Sequence, residues 1–283
     1  SPLTAGGTHA MLRWLRSIGP KPASAARAIP EHLWNATLVQ LPFLQTAGVD
    51  DLAELRHLAQ AFLGCKEFHG AGGLEIRDDM AIAIAAQACL PVLHLREPWR
   101  GIDWYDDFVG IVVYPGAVRA RRETMDENGV VHQYDEVLTG EAMQDGPVTL
   151  SWQDVAEAGQ SAHDGYNVVI HEFVHKIDMR DGTANGCPAL PAGFMGTTSS
   201  GAARALWHTR LHANYLDFCD RLSLAERFGA AMPWLDAYGA SGVDEFFAVA
   251  SEAYFVNRDR FGAEFADLLP MLDAFFRPHR PAG

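Results

Sequence analysis

The stretch NVVIHEFVHKID, residues 167–178, sets His171 and His175 four apart, with Glu172 directly after the first, in otherwise apolar company. On a helix, positions i and i+4 lie one above the other on a single face, so the two imidazoles can turn ring nitrogens toward one point. That supplies two ligands of a tetrahedral ion. Glu172 flanks the point rather than binding there, where a carboxylate can take a proton from an activated water. A buried helix carrying these groups among Val168, Val169, Ile170, Phe173, Val174 and Ile177 is costly unless the polar atoms have partners, and a metal ion supplies one. Asp178, three residues beyond His175, lies on the same face and is placed to hold a ligand imidazole by its second ring N–H.

A catalytic zinc takes three side chains and leaves one position for water. The best source of the third ligand is YGASGVDEFFAVASEAYF, residues 238–255. Glu245 and Glu252 stand about two helical turns apart there, among Phe246, Phe247, Val249, Phe255 and Val256, so both can face the same way. Either fits as ligand, with the other as its support.

The elements that must position these residues follow from periodicity. Leu52, Leu55, Leu58, Ala59, Phe62 and Leu63 recur at helical spacing over residues 49–66, with Asp50 and Asp51 suited to the first turn. HGAGGLEIRDD reads as a glycine-rich turn. DMAIAIAAQACLPVL reads as a second helix without a polar face, hence buried, which Pro91 helps to end. FVGIVVYP and GPVTLSW, β-branched and bounded by Gly or Pro, read as strands with a polar loop between them. GPVTLSW, if it lies at a sheet edge near the motif helix, can hold an extended peptide by backbone pairing. Helices are predicted around the motif and over residues 202–225, 243–257 and 263–276. The pattern predicts an α+β fold, mainly helical with a small mixed sheet. Residues 1–47 are expected as a partly irregular N-terminal extension and residues 48–283 as a single domain.

Composition narrows the function classes. The chain has 283 residues, 48% of them hydrophobic, enough for a large core. A formal net charge of -14 argues against a nucleic acid or an anionic membrane surface as partner, since both call for a basic face. No apolar run approaches the roughly 18 to 20 residues that cross a bilayer. A short basic amphipathic piece around residues 11–18 lacks the sustained apolar region of a secretory signal, and a cytoplasmic protein is expected. Cys65, Cys89, Cys187 and Cys219 lie far apart, form no C-x-x-C pair and read as reduced thiols rather than zinc ligands. HTRLH, with His208 and His212 four apart but no glutamate between them, reads as a half-exposed helix face. GAGG lacks the spacing of a nucleotide loop, and no G-x-S-x-G elbow points to serine chemistry.

Several blocks in one order extend the motif: FHGAGGLEIRDDMAIAIAAQACLPVL, VGIVVYPGAV, GPVTLSWQDV, GYNVVIHEFVHKIDMRDGTANGCPALP and DEFFAVASEAYF. Over residues 61–276 the chain resembles the Mlc titration factor A metallopeptidases of bacteria, which are similar around the metal to the zinc domain of anthrax lethal factor. The resemblance implies a zincin-like domain of the gluzincin type holding one zinc. His171, His175 and Glu245 would be the ligands, Glu172 the general base and Tyr238 a hydrogen-bond donor to the transition state. It also implies a peptide substrate, aminopeptidase-like activity and, as in enteric bacteria, binding to the repressor Mlc. A regulator-sequestering protein with a structural or vestigial zinc site is the alternative; an intact Glu172 favours the enzyme, because a purely structural site has no use for a base.

Overall fold

A computed structural model describes residues 28–116, 118–125, 131–138, 140–142 and 146–278. Helix α1 (Glu31–Gln40) follows Pro30 and turns Trp34 and Thr37 inward. After a 3-10 turn at Pro42–Thr46, α2 (Val49–Cys65) buries Leu55, Ala59, Phe62 and Leu63, the stripe its periodicity predicts. Strand β1 (Glu67–Gly70) leads through a glycine turn into α3 (Asp78–Cys89), in which every residue from Met80 to Cys89 is buried. Strand β2 (Gly110–Tyr114) follows. Among the described residues, strands β3 (Val118–Met125) and β4 (Val131–Leu138) pair only with each other, antiparallel. Strand β5 (Gly140–Ala142) and β6 (Val148–Ser151) complete the main sheet. The helical half runs α4 (Trp152–Ser161), α5 (Val168–Asp178), α6 (Ser200–Phe228), α7 (Val243–Val256), α8 (Arg258–Glu264) and α9 (Leu269–Phe276).

The main sheet is mixed, in the order β1-β2-β6-β5. The first two pairings are parallel and the last antiparallel. Helix α3 supplies the crossover that a parallel β1–β2 pair requires. Helix α5 packs against α3, α7 and strands β5 and β6, so the motif helix is enclosed from several sides. One continuous core joins these layers and includes Ile29, Trp34, Leu41, Phe43 and Leu44 from the chain before α2. Phe173 of α5 carries much of the docking: its ring centroid lies 5.0 Å from that of Tyr105, 5.6 Å from Phe62 and 5.9 Å from Phe108.

The structure corrects four readings of the sequence. The first two residues of the glycine-rich turn, His69 and Gly70, instead end β1, whose four residues pair with β2 despite being mostly exposed. The polar loop between the predicted strands contains β3, β4 and β5. The helix predicted over residues 263–276 is broken: Phe265 leaves helical geometry at φ -130° and ψ 54°, and α9 restarts with Pro270 in its first turn. Proline fits there because it has no N–H to leave unsatisfied, whereas a continuous helix would set its ring against a carbonyl. Finally, β6 is an inner strand, paired to β2 on one side and β5 on the other, so it has no edge to offer a peptide. The four free cysteines are unpaired thiols, and no helix among the described residues is long and apolar enough to cross a membrane.

Candidate metal centre

Asn167 starts α5: its Oδ1 accepts from the Ile170 amide at 2.9 Å, satisfying a donor that the first turn leaves free. All eleven residues of α5 are buried, His171 and His175 included. One turn apart, their Nε2 atoms approach to 3.1 Å. Glu245, in the first turn of α7, completes a triangle, its Oε2 lying 3.1 Å from each of those nitrogens. Among the described residues these three form a group whose ligand atoms all lie within 4.8 Å.

Three lone-pair atoms at that separation repel unless a cation sits among them. A tetrahedral ion with ligands about 2.0–2.1 Å away would set them about 3.3 Å apart, close to the spacing found. Two imidazole nitrogens and a carboxylate oxygen therefore fit a divalent metal ion. The electrostatics are consistent. Burial would raise the Glu245 carboxyl, but hydrogen bonds with His171 and His175 hold it well below the usual carboxylate range. Burial works against a charged His171, yet the Glu252 and Glu245 carboxylates hold its pKa well above the usual value. A shared proton and a shared metal are two ways to satisfy one acidic cluster.

The two glutamates of α7 separate cleanly. Glu252, two turns beyond Glu245, is 1% exposed and sets Oε1 2.6 Å from His171 Nδ1, on the far side of the ring from the triangle. Its Oε2 accepts from the Asn167 amide at 2.5 Å. Burial raises its pKa against the pull of His171, and the geometry is that of an imidazole N–H donating to a carboxylate. Asp178, the other residue placed for such a role, instead accepts from the Gly186 amide at 2.8 Å and secures the loop after α5.

Glu172 is buried beside the triangle, and its Oε2 has no hydrogen-bond partner among the described residues. Burial pushes its carboxyl up to about 7 against the lowering effect of the two histidines. Tyr238 lies on a 3-10 turn, Ala237–Ala240, where its amide donates to Asp236 Oδ1 at 2.9 Å. The turn brings the phenol back toward the site: the hydroxyl is 3.4 Å from Glu245 Oε1, the ring centroid 6.0 Å from that of His171, and the side chain is half exposed. His208 and His212 lie on the outer face of α6, both exposed.

Sequence reasoning did not single out Asn167, Gln87 or Lys176. Asn167 had a signal, a capping residue directly before the apolar run. Gln87, the lone amide in AIAIAAQACL, is fully buried. Lys176 is also fully buried, donating to Gly146 O at 2.8 Å with Nζ 4.5 Å from the Phe108 ring centroid, and ties the motif helix to the turn before β6.

The comparisons agree with this geometry. The family model described as glucose-regulated metallo-peptidase M90 matches residues 13–277. A protein named Mlc titration factor A from Salmonella arizonae is 31% identical over 268 residues, covering 94% of this chain and 97% of that protein. Its counterparts in Salmonella schwarzengrund and Salmonella typhimurium are 33% and 32% identical over 245 residues, covering 86% of this chain and 85% of each. With a buried His-Glu-x-x-His helix facing a carboxylate that completes a group of three and a match spanning nearly the whole chain, the protein belongs to the glucose-regulated metallo-peptidase M90 family.

Proposed function

We propose that the chain is a zinc-dependent peptidase of the gluzincin type, with aminopeptidase-like action on short peptides. His171, His175 and Glu245 would hold one zinc. The ion, when bound, supplies Lewis acidity, lowering the pKa of water toward ~7 and polarising a carbonyl. Glu172 takes the proton from the attacking water and delivers it to the leaving amine; a carboxyl poised near neutrality suits both transfers. Tyr238 donates its hydroxyl hydrogen to the carbonyl oxygen as that oxygen gains charge. Glu252 keeps the His171 ring turned so that Nε2, not Nδ1, faces the site.

The observation that carries this reading is Glu172: a buried carboxyl beside the triangle with an oxygen that no group among the described residues satisfies. A purely structural site would have no reason to carry that cost. The name Mlc titration factor A, borne by the relatives, supports a second role for the same molecule in the cytoplasm, binding an Mlc-like transcriptional repressor. Hydrolysis of aminoacyl p-nitroanilides, measured before and after chelator treatment and zinc restoration, separates the roles. Peptidase action predicts activity lost with the metal and regained with it. No metal-dependent activity together with tight repressor binding would establish the sequestering protein instead.

A further inference from the structure

A chain of buried hydrogen bonds leads away from His171 into α3, where every residue from Met80 to Cys89 is buried. Gln87 sits in α3, and its Nε2 donates to the Ala83 carbonyl at 3.0 Å. A backbone carbonyl can only accept, so this bond settles which end of the Gln87 amide is which, and Oε1 is the atom turned toward α5. There it accepts from Asn167 Nδ2 at 2.8 Å. The assignment is checked from the other side: Asn167 Oδ1 faces the Ile170 amide, which can only donate. With its side chain held by both bonds, Asn167 presents its own backbone N–H to Glu252 Oε2 at 2.5 Å. Glu252 Oε1 is thereby aimed at His171 Nδ1, 2.6 Å away. Gln87 and Asn167 are both fully buried.

We infer that Gln87 is a positioning residue for the metal centre, acting through Asn167 and Glu252 to fix the ring orientation of His171 with the proton on Nδ1. From Gln87 to Glu252 Oε2 each donor and acceptor is fixed by a main-chain group, the Ala83 carbonyl and the Ile170 and Asn167 amides, and a carboxylate so placed can only accept from His171 Nδ1. The polarity of the relay is therefore built into the packing of α3 against α5 and does not wait for an ion to arrive. A leucine would suit the Ala- and Ile-rich surroundings of α3 better; the amide earns its place only by what it holds. The inference rests on reading the triangle as a metal centre, and the two can fail separately.

The test uses the full chain, its Gln87→Leu, Gln87→Glu and Asn167→Asp variants, and cobalt(II) as the probe ion. Gln87→Leu removes the bond to Asn167 with little change in volume. Asn167→Asp removes the same bond from the other end: as the N-cap of α5, accepting from the Ile170 amide, its carboxylate is held ionised and has no hydrogen to give Gln87. Gln87→Glu, neutral when so buried, can still accept from Asn167 and donate to Ala83. In metal-free, histidine-labelled protein, the parent is expected to show a far-downfield Nδ1–H proton resonance, assigned by its loss in His171→Gln. It should disappear or move upfield in Gln87→Leu and Asn167→Asp and persist in Gln87→Glu. Cobalt affinity, measured against a competing chelator, should fall about 10–100-fold in the first two with an altered visible spectrum, and stay within a few-fold in the third. If Gln87→Leu does not fold, Asn167→Asp decides alone. An unchanged resonance and unchanged cobalt affinity in folded Gln87→Leu or Asn167→Asp would overturn the relay. A parent that binds no cobalt would overturn the metal-centre reading, and the resonance would still judge the relay.

Discussion

Glu172 and the two carboxylates of α7 make separable predictions. Glu172→Gln is expected to keep its metal, because the residue stands outside the triangle, and to lose turnover by about 10²-fold or more, because no base remains. Metal content and kcat measured on one preparation check both halves, and unchanged kcat would remove the base. Glu245→Ala should abolish tight metal binding, while Glu252→Ala should weaken it about 10–100-fold by leaving His171 unsupported. Tyr238→Phe should keep the metal and lower kcat by about 10²-fold. A reversed order of metal loss between the two glutamates would exchange their roles. Most of this was legible in the residues, since four-residue spacing on a helix is rigid geometry. The choice between Glu245 and Glu252 was not legible in periodicity, and only the family resemblance named Glu245. Helical periodicity sets both on one face but leaves open which end of α7 meets the histidines, and that depends on how α5 and α7 cross.

The elements show where pattern reading stops. Helices α2, α3, α5 and α7 announce themselves through apolar spacing or continuous apolar runs, and each packs as its pattern requires. Helix α4 was missed although Trp152, Val155 and Ala158 recur every three residues behind a Ser151 cap: its ten residues bury only Val155 and Ala158, and Trp152 also ends a strand-like run. The short strands β1 and β5 are defined by their partners rather than their residues, which a single sequence does not display. Close approach between elements is equally hidden until the fold is seen. Gly159 in α4 passes the end of α1 so tightly that an added Cβ would lie 2.1 Å from the Gln40 carbonyl oxygen. In an open helix Gly→Ala stabilises by about 0.5–1 kcal/mol. Here the overlap with main chain should dominate, and Gly159→Ala is expected to destabilise by about 1–3 kcal/mol. Urea unfolding of the metal-free protein gives the sign directly, and a stabilised variant would show that α1 and α4 do not pack this way.

At the scale of the whole molecule, the contact at Gly159 is part of a larger dependence. The metal triangle joins α5 to α7, the relay from Gln87 ties α5 to α3, and α3 in turn packs on α1 and α2. Ile29, Trp34, Leu41, Phe43 and Leu44 all lie in the core that these helices share, so the residues before α2 close the same structure that holds the site. Residues 1–47 were expected as an extension, and α1 shows no strong apolar stripe: Val39 is 75% exposed although Trp34, five residues earlier, is buried. We propose that the folding unit begins no later than Ile29. Fully burying each such side chain stabilises by about 1.5–3 kcal/mol, so losing all five would forfeit about 7–15 kcal/mol. That is comparable with the whole stability of a typical domain, about 5–15 kcal/mol. A chain starting at Gly48 is therefore expected to lose cooperative unfolding and metal binding together, even though every proposed ligand remains. Near-UV circular dichroism, urea titration and zinc uptake of the shortened protein check this, and a cooperatively folded, zinc-binding product would place the boundary at residue 48 instead.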